Sequence, residues 1–203
     1  MKTGPKYKVC RRLGSNVFEK CQTQQYVLSE TKHAKSARRG RAPSNFGKQL
    51  MEKQRIRFAY GVQERQLRRY IEEAGRRAQG VDPATRMLEL LETRLDNVVF
   101  RAGFATSRRQ ARQLVTHGHV TVNGRKIDVP SYEVKHGDKL AVREGSKSKP
   151  YFANNAEKIE GATAPNWLKV DSKALLIEAT AKPSPENTDM VADLNTVLEF
   201  YSR

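Results

Sequence analysis

Apolar positions change their spacing several times along this chain, and each change marks a change of expected element. Residues 1–45 carry scattered hydrophobes in no sustained period, interrupted by Gly4, Pro5, Gly14, Gly40 and Pro43. Such a stretch reads as an extended arm that orders only on a partner, so its removal should leave the rest folded. From Lys48 to Tyr60, Leu50, Met51, Phe58 and Ala59 sit among Lys53, Arg55 and Arg57, the pattern of a basic amphipathic helix ended by Gly61. A second helix is expected over 62–74, with Leu67 and Ile71 inward, Arg65, Arg68 and Arg69 outward, and Gly75 as its stop.

Asp82 followed by Pro83 opens a third helix, because the carboxylate can cap free amides and proline at the first helical position gives up no hydrogen bond. Met87, Leu88, Leu91, Leu95, Val98, Val99 and Ala102 continue one apolar face as far as Gly103. At Ser107 the run S-R-R-Q has the form of a capping box with Gln110 reaching back. The helix that follows buries Ala111, Leu114 and Val115, shows Arg108, Arg109 and Arg112, and ends at Gly118. Beyond it the period drops to two. HVTVNGRKIDV alternates about Asn123-Gly124, a favoured pair for a tight hairpin, and Leu140 with Val142 marks another strand. Residues 143–150 read as a basic loop, a short helix is expected near Ala156, and WLKV and ALLIEA read as two more strands. PSPENTD is a linker-like break. The closing VADLNTVLEFYSR begins with helical spacing and then turns aromatic and extended, and docking on the two basic helices would cover it and offset their charge. The expected fold class is α+β: a basic arm and a helical region, with an inserted helix-helix-hairpin module and a small antiparallel sheet.

Charge narrows the function. The 203 residues hold 38 Lys and Arg against 22 Asp and Glu, a net +16, and residues 1–70 alone carry 18 basic and 4 acidic side chains. A block this positive repels itself unless a polyanion neutralises it, and counterion release from a phosphate backbone is the usual source of such binding energy. An anionic membrane would want a continuous apolar face opposite the charge, which these helices lack. No stretch approaches the roughly 18 apolar residues of a membrane span, and MKTGPKYKVCRR has charge where a signal peptide has its apolar core. Two cysteines make no disulfide framework, so composition favours a reducing compartment and a fold held by packing. No phosphate-binding glycine loop, paired carboxylates or nucleophile with a base is found, so no catalytic residue is assigned. His117 and His119 flank a helix end, where protonated histidine is favoured.

Arginine offers a planar fork matched to phosphate, and Arg108 and Arg112, four apart, share one face that could span phosphates of a folded RNA. LETRLDNVVFRAGFATSRRQARQLV and HGHVTVNGRKIDVPSYEVKHGD resemble the signature of the ribosomal S-four RNA-binding domain. GPKYKVCRR, EKQRIRFAYGVQERQLRRYIEEA, WLKVD and LEFYSR extend the resemblance to the bacterial small-subunit ribosomal protein four family over nearly the whole chain. The resemblance implies a cytoplasmic, non-enzymatic constituent of the small ribosomal subunit, a primary binder of its ribosomal RNA that nucleates assembly of the body. It also implies contact with small-subunit protein five, a role with proteins five and twelve in accuracy, and a place near messenger RNA where it enters.

The domain division it suggests is an arm over 1–45, a helical domain over 46–90 plus 183–203, and the S-four-like module over 91–182. Candidate RNA contacts are Arg11, Arg12, Lys35, Arg38, Arg39 and Arg41 in the arm, and Lys48, Lys53, Arg55, Arg57, Arg65, Arg68 and Arg69 in the basic helices. In the module they are Arg108, Arg109, Arg112, His117 and Arg125. Arg94 and Arg101 also fall on the signature, with Arg94 and Asp96 expected to pair structurally, Phe104 to enter the core and Asn123 to serve turn geometry. Some family members bind zinc through four cysteines in the arm. Here Tyr7 stands where the partner of Cys10 would be, and Cys10, Cys21 and His33 are three soft ligands at irregular spacing, so no metal or cofactor is expected. Two alternatives stay open: an RNA-modifying or salvage protein that borrows the domain, and a DNA-compacting protein using the same charge.

Overall fold

The computed structural model describes residues 3–14, 17–34, 43–76, 80–149, 151–152, 161, 163–188 and 192–202, the side chains of His33, Ala34 and Asn187 excepted. The chain divides into two compact units, one formed by residues 1–84 with 190–203 and the other by 85–189.

In the first unit the expected extended arm is instead folded. Helix α1 spans Lys6–Leu13 and ends at Gly14 in the left-handed region (φ +62°), a 3-10 turn covers Glu19–Gln22, and α2 spans Gln24–Ala34. The sparse apolar side chains converge: Cys10, Leu13, Val17, Cys21 and Tyr26 are all buried, and Tyr7 meets Tyr26 edge-on at 5.2 Å. Cys10 and Cys21 form a disulfide across a separation of 11 residues, which corrects the expectation of a fold held by packing alone. The last turn of α1 leaves carbonyls without intrahelical donors. Arg55 from the next helix answers one of them, donating through Nε and Nη2 to the Leu13 carbonyl at 2.9 and 2.7 Å. Two short helices with wide polar faces, tied by a disulfide and a distant arginine, leave no readable period.

Helix α3, Asn45–Ala59, starts earlier than the apolar pattern indicated because the Ser44 hydroxyl caps it, accepting from the Gly47 amide at 3.2 Å. Helix α4, Glu64–Arg76, runs through Gly75 and buries Leu67, Tyr70 and Ala74, with Ile71 only half-buried. The closing segment packs on these two helices, but its aromatic part stays helical through Tyr201, in a helix spanning Leu194–Tyr201 (α9 in the full order below). Asp193 caps it through Oδ1 on the Asn195 amide. Leu194 and Val197 are buried, Phe200 lies against Phe46 at 5.5 Å, and Gln49 donates to Glu199 at 3.1 Å.

The second unit holds α5 (Pro83–Glu92, whose first two residues belong to the other unit), α6 (Leu95–Arg101), α7 (Arg108–Thr116) and a one-turn α8 (Glu144–Lys147). The sheet comprises β1 (Val120–Val122), β2 (Arg125–Lys126), β3 (Lys139–Val142), β4 (Leu168–Asp171) and β5 (Leu176–Ala179), antiparallel throughout in the order β2-β1-β3-β5-β4. The fold is thus α+β. The single helix expected to run to Gly103 is broken at Thr93-Arg94. There the chain turns extended, Arg94 bridges to Glu133, and the Leu95 amide donates to the Tyr132 carbonyl at 2.9 Å. Asn123 (φ 49°) and Gly124 (φ 78°) both lie in the left-handed region, as the hairpin turn requires. One sheet face presents Val120, Val122, Leu140, Val142, Ile177 and Ala179 to Leu95, Val98, Val99, Ala111 and Val115 of α6 and α7, with Phe104, Phe152 and Trp167 closing the core. Each such side chain contributes roughly 1.5–3 kcal/mol by leaving water. The loop expected over 143–150 contains α8, pinned by the fully buried Ser146, and the segment around Ala156 lies outside the described residues.

Two outcomes follow for the first unit. Deleting residues 1–45 removes the Leu13 carbonyl that Arg55 binds and the Phe18 ring against Phe58, and should lower the thermal midpoint of the remaining protein and weaken helix protection in hydrogen exchange; an unchanged midpoint would restore the arm reading. Tyr201 donates to Glu64, which Lys53 also holds at 3.0 Å. Burial lifts the Glu64 carboxyl, but the bonds from Tyr201 and Lys53 and the charges of Lys53 and Arg57 outweigh it and hold it below its usual value. Stability from this group is therefore present above the unfolded carboxyl pKa and lost as pH falls through the lower folded value. Tyr201→Phe should cost about 1–2 kcal/mol at neutral pH. The deficit should shrink below roughly pH 4 in urea denaturation.

Candidate nucleic-acid interface

The start of α6 carries polar residues where a core helix would normally be apolar. Glu92, Arg94, Asp96 and Asn97 are all buried, and each is answered. Arg94 grips Asp96 in a fork, Nε to Oδ1 at 3.0 Å and Nη2 to Oδ2 at 2.8 Å, the pair the spacing suggested. Asp96 Oδ2 also accepts from Arg112 on α7, through Nε at 2.8 Å and Nη2 at 2.6 Å. Glu92, wholly buried, accepts a fork from Arg101 at 2.9 Å on each oxygen and a bond from Asn97 Nδ2 at 2.8 Å. Asn97 Oδ1 then accepts from Arg108 Nε at 2.8 Å, while the Arg108 guanidinium lies 4.5 Å over the Phe100 ring. Four arginines are thus held in set planes by two carboxylates and one amide.

Helix α7 is positioned by its cap. Ser107 Oγ accepts from the Gln110 amide at 3.2 Å, while Gln110 Oε1 reaches back to the amide and hydroxyl of Thr106, one residue earlier than a capping box would have it. Arg109 on this helix is exposed, and Arg108 and Arg112 are half-buried. His117 at its end and Arg125 in β2 are exposed, and the Lys126 side chain crosses directly above Gly118. His119 is half-buried, with Nδ1 3.0 Å from Ser146 Oγ. Burial first, and then the charges of Lys149, His117 and Arg143, hold its pKa below the usual histidine value. That shift runs against the protonation expected of a histidine beside this helix end.

In the first unit Arg12, Lys48, Arg65, Arg68 and Arg69 are exposed, with Arg68 3.4 Å from Glu72, and Arg11 is half-buried and donates to the Tyr7 carbonyl at 3.4 Å. Lys53 and Arg55 do not face solvent as expected. Lys53 is buried between Glu64 and the Phe200 ring, 4.5 Å from its centre, and Arg55 is committed to Leu13 and Glu52. The docked terminal helix and α1 convert these two cations into internal fastenings. Arg57 is half-buried with Glu64 at 3.1 Å and Gln54 at 3.0 Å. Lys35, Arg38, Arg39 and Arg41 lie outside the described residues. Glu92 and Asn97 were not singled out in the sequence, and Arg101 and Asp96 were named there without an RNA role, although polar side chains interrupting an apolar run at 92–97 are a visible signal.

Among the described residues no group of three or more His, Cys, Asp or Glu could hold a metal ion, and no helix is long and apolar enough to cross a membrane. Cys10 and Cys21 are spent on each other, and the His33 side chain is not described.

A helical platform with oriented arginines beside a small antiparallel sheet defines a module of the S4 type. A family model described as Ribosomal protein S4/S9 N-terminal domain matches residues 1–92, and one described as S4 domain matches residues 93–140. The small ribosomal subunit protein uS4 of Roseiflexus castenholzii is 47% identical over 207 residues, covering 98% of each chain. That of Dehalococcoides mccartyi is 44% identical over 205 residues, covering 99% of this chain and 98% of its own, and that of Acetivibrio thermocellus 42% over 214 residues with the same coverage. The chain belongs to the uS4 family of small ribosomal subunit proteins, which is structural and not enzymatic.

The carboxylate at the base of this platform is testable by itself. Glu92→Ala removes the buried carboxylate that Arg101 and Asn97 share and should destabilise the second unit by about 3–5 kcal/mol in urea denaturation, where a surface pair would cost under about 1.

Proposed function

We propose that this protein is a primary binder of small-subunit ribosomal RNA that nucleates folding of the subunit body. It works as a structural constituent of the cytoplasmic small ribosomal subunit and catalyses nothing. The single observation that carries this reading is the α7 arginine set, Arg108, Arg109 and Arg112, raised on a rigid core with the planes of Arg108 and Arg112 fixed from beneath. Arginine forks held in advance match phosphates of a folded RNA at low entropic cost. Arg125 and His117 extend this surface in the module, and Arg11, Arg12, Lys48, Arg57, Arg65, Arg68 and Arg69 supply the helical unit, with Lys35, Arg38, Arg39 and Arg41 contributing from the intervening segment. Contact with small-subunit protein five, a shared role with proteins five and twelve in decoding accuracy, and proximity to messenger RNA where it enters complete the reading. A duplex-DNA compactor would show no preference for structured RNA, and a modifying enzyme would need a catalytic domain beside the S4 domain, whereas the two family models and the full-length relatives account for the chain as uS4.

Replacing Arg108, Arg109 and Arg112 together by Gln should weaken binding to a small-subunit ribosomal RNA transcript. It should also flatten the dependence of log affinity on log salt by roughly 0.7–0.9 for each phosphate no longer neutralised, with helicity preserved by circular dichroism. Unchanged affinity and slope would refute the phosphate role. Sedimentation of an extract should place the chain in the small-subunit peak, and its absence there would overturn the assignment.

A further inference from the structure

The first turn of α6 places two consecutive polar side chains, Asp96 and Asn97, beneath α7, and each takes hold of one of the two arginines that share a face of that helix. Asp96, 3% exposed, binds Arg112; Asn97, 1% exposed, binds Arg108. Neither is a loose surface pair. The second oxygen of Asp96 is taken by Arg94 in a buried fork, which prevents the carboxylate from rotating after Arg112. The Asn97 amide is fixed in turn, because its Nδ2 donates to both the carbonyl and the carboxylate of Glu92, which leaves Oδ1 turned toward Arg108. Phe100 sets the height of the Arg108 guanidinium from below. The two cations are therefore held through their Nε edges at a spacing of one helical turn, with the anchoring groups on the core side.

We propose that Asp96 and Asn97 are positioning residues for RNA recognition: they present Arg112 and Arg108 as a preset pair of forks, so that the α7 face selects a spacing of RNA phosphates instead of adapting to any polyanion. The inference rests on the RNA-binding reading above and adds to it the side chains that make the arginines selective. Its sign separates it from simple electrostatics. Asp96→Asn raises the net charge by one, so an arginine surface acting only as a charge should bind RNA more tightly; a surface acting by geometry should bind more weakly although it has become more positive.

The test uses the full chain and a transcript of small-subunit ribosomal RNA, with duplex DNA as the competitor at fixed salt. For Asp96→Asn the expected result is a loss of RNA affinity of about tenfold with no loss for duplex DNA, and Arg112 Nε–Hε signals in NMR that become averaged in a protein whose circular dichroism is unchanged. Equal or tighter RNA binding, with those signals equally ordered, would overturn the proposal. If Asp96→Asn fails to fold, Arg112→Lys decides, since it keeps the charge at a half-exposed position and removes the fork. A loss of RNA affinity of about fivefold or more supports positioning, and wild-type affinity refutes it. Loss of affinity in the triple glutamine variant alongside wild-type binding by both of these variants would sink the positioning inference alone, whereas wild-type binding by the triple variant would sink the RNA reading itself.

Discussion

The buried contact between Asp96 and its two arginines is the constraint around which the second unit is arranged. A chain with a net charge of +16 must bring guanidinium groups together without letting their repulsion open the core. Placing carboxylates at the foot of the helices, out of water, solves this only if every oxygen has a donor, since an unanswered buried charge costs several kcal/mol. Asp96 and Glu92 meet that condition with forks from Arg94, Arg112 and Arg101. The break between α5 and α6 is part of the same arrangement. It brings Glu92, Arg94, Asp96 and Asn97 into one cluster, which an uninterrupted helix would have spread around its circumference.

The first unit meets the same excess of charge by another route. Half-buried Arg55 is tied to the end of α1, 42 residues away, and buried Lys53 to Glu64 beneath the aromatic pair Phe200 and Tyr201. The terminal helix α9 thereby acts as a lid on Lys53. Burial, and then the bond to the Glu64 carboxylate and its charge, raise the Tyr201 phenol above its ordinary value, so it stays a donor across the physiological range.

Much of this architecture was legible in the chain. Periods of three to four and of two marked α3, α4, α7 and the β1–β2 hairpin, because in those elements one face meets a core and the other meets water. Asn123-Gly124 announced its turn, and Arg94 with Asp96 announced a pair, because both depend on neighbours in sequence. What was not legible depends on distant partners. The helices of residues 6–34 rest on a disulfide and on Arg55, and the break at Thr93 rests on Glu133 and Tyr132. Of the expected site, type and spacing sufficed to put Arg108, Arg109 and Arg112 together on α7, and their RNA contact stays a proposal. Lys53 and Arg55 were misplaced on the surface, because nothing local reveals that a helix from the far end of the chain will cover one and a helix terminus will claim the other.

The pairing of Cys10 with Cys21 gives the N-terminal helices two fastenings of unlike chemistry. One is covalent and answers to thiols and oxidants; the other is the guanidinium of Arg55 on a carbonyl, indifferent to electrons but open to competition from denaturants. Reduction would open the covalent tie and leave the second, which involves no sulfur, so the end of α1 keeps its docking point on α3 in either thiol state.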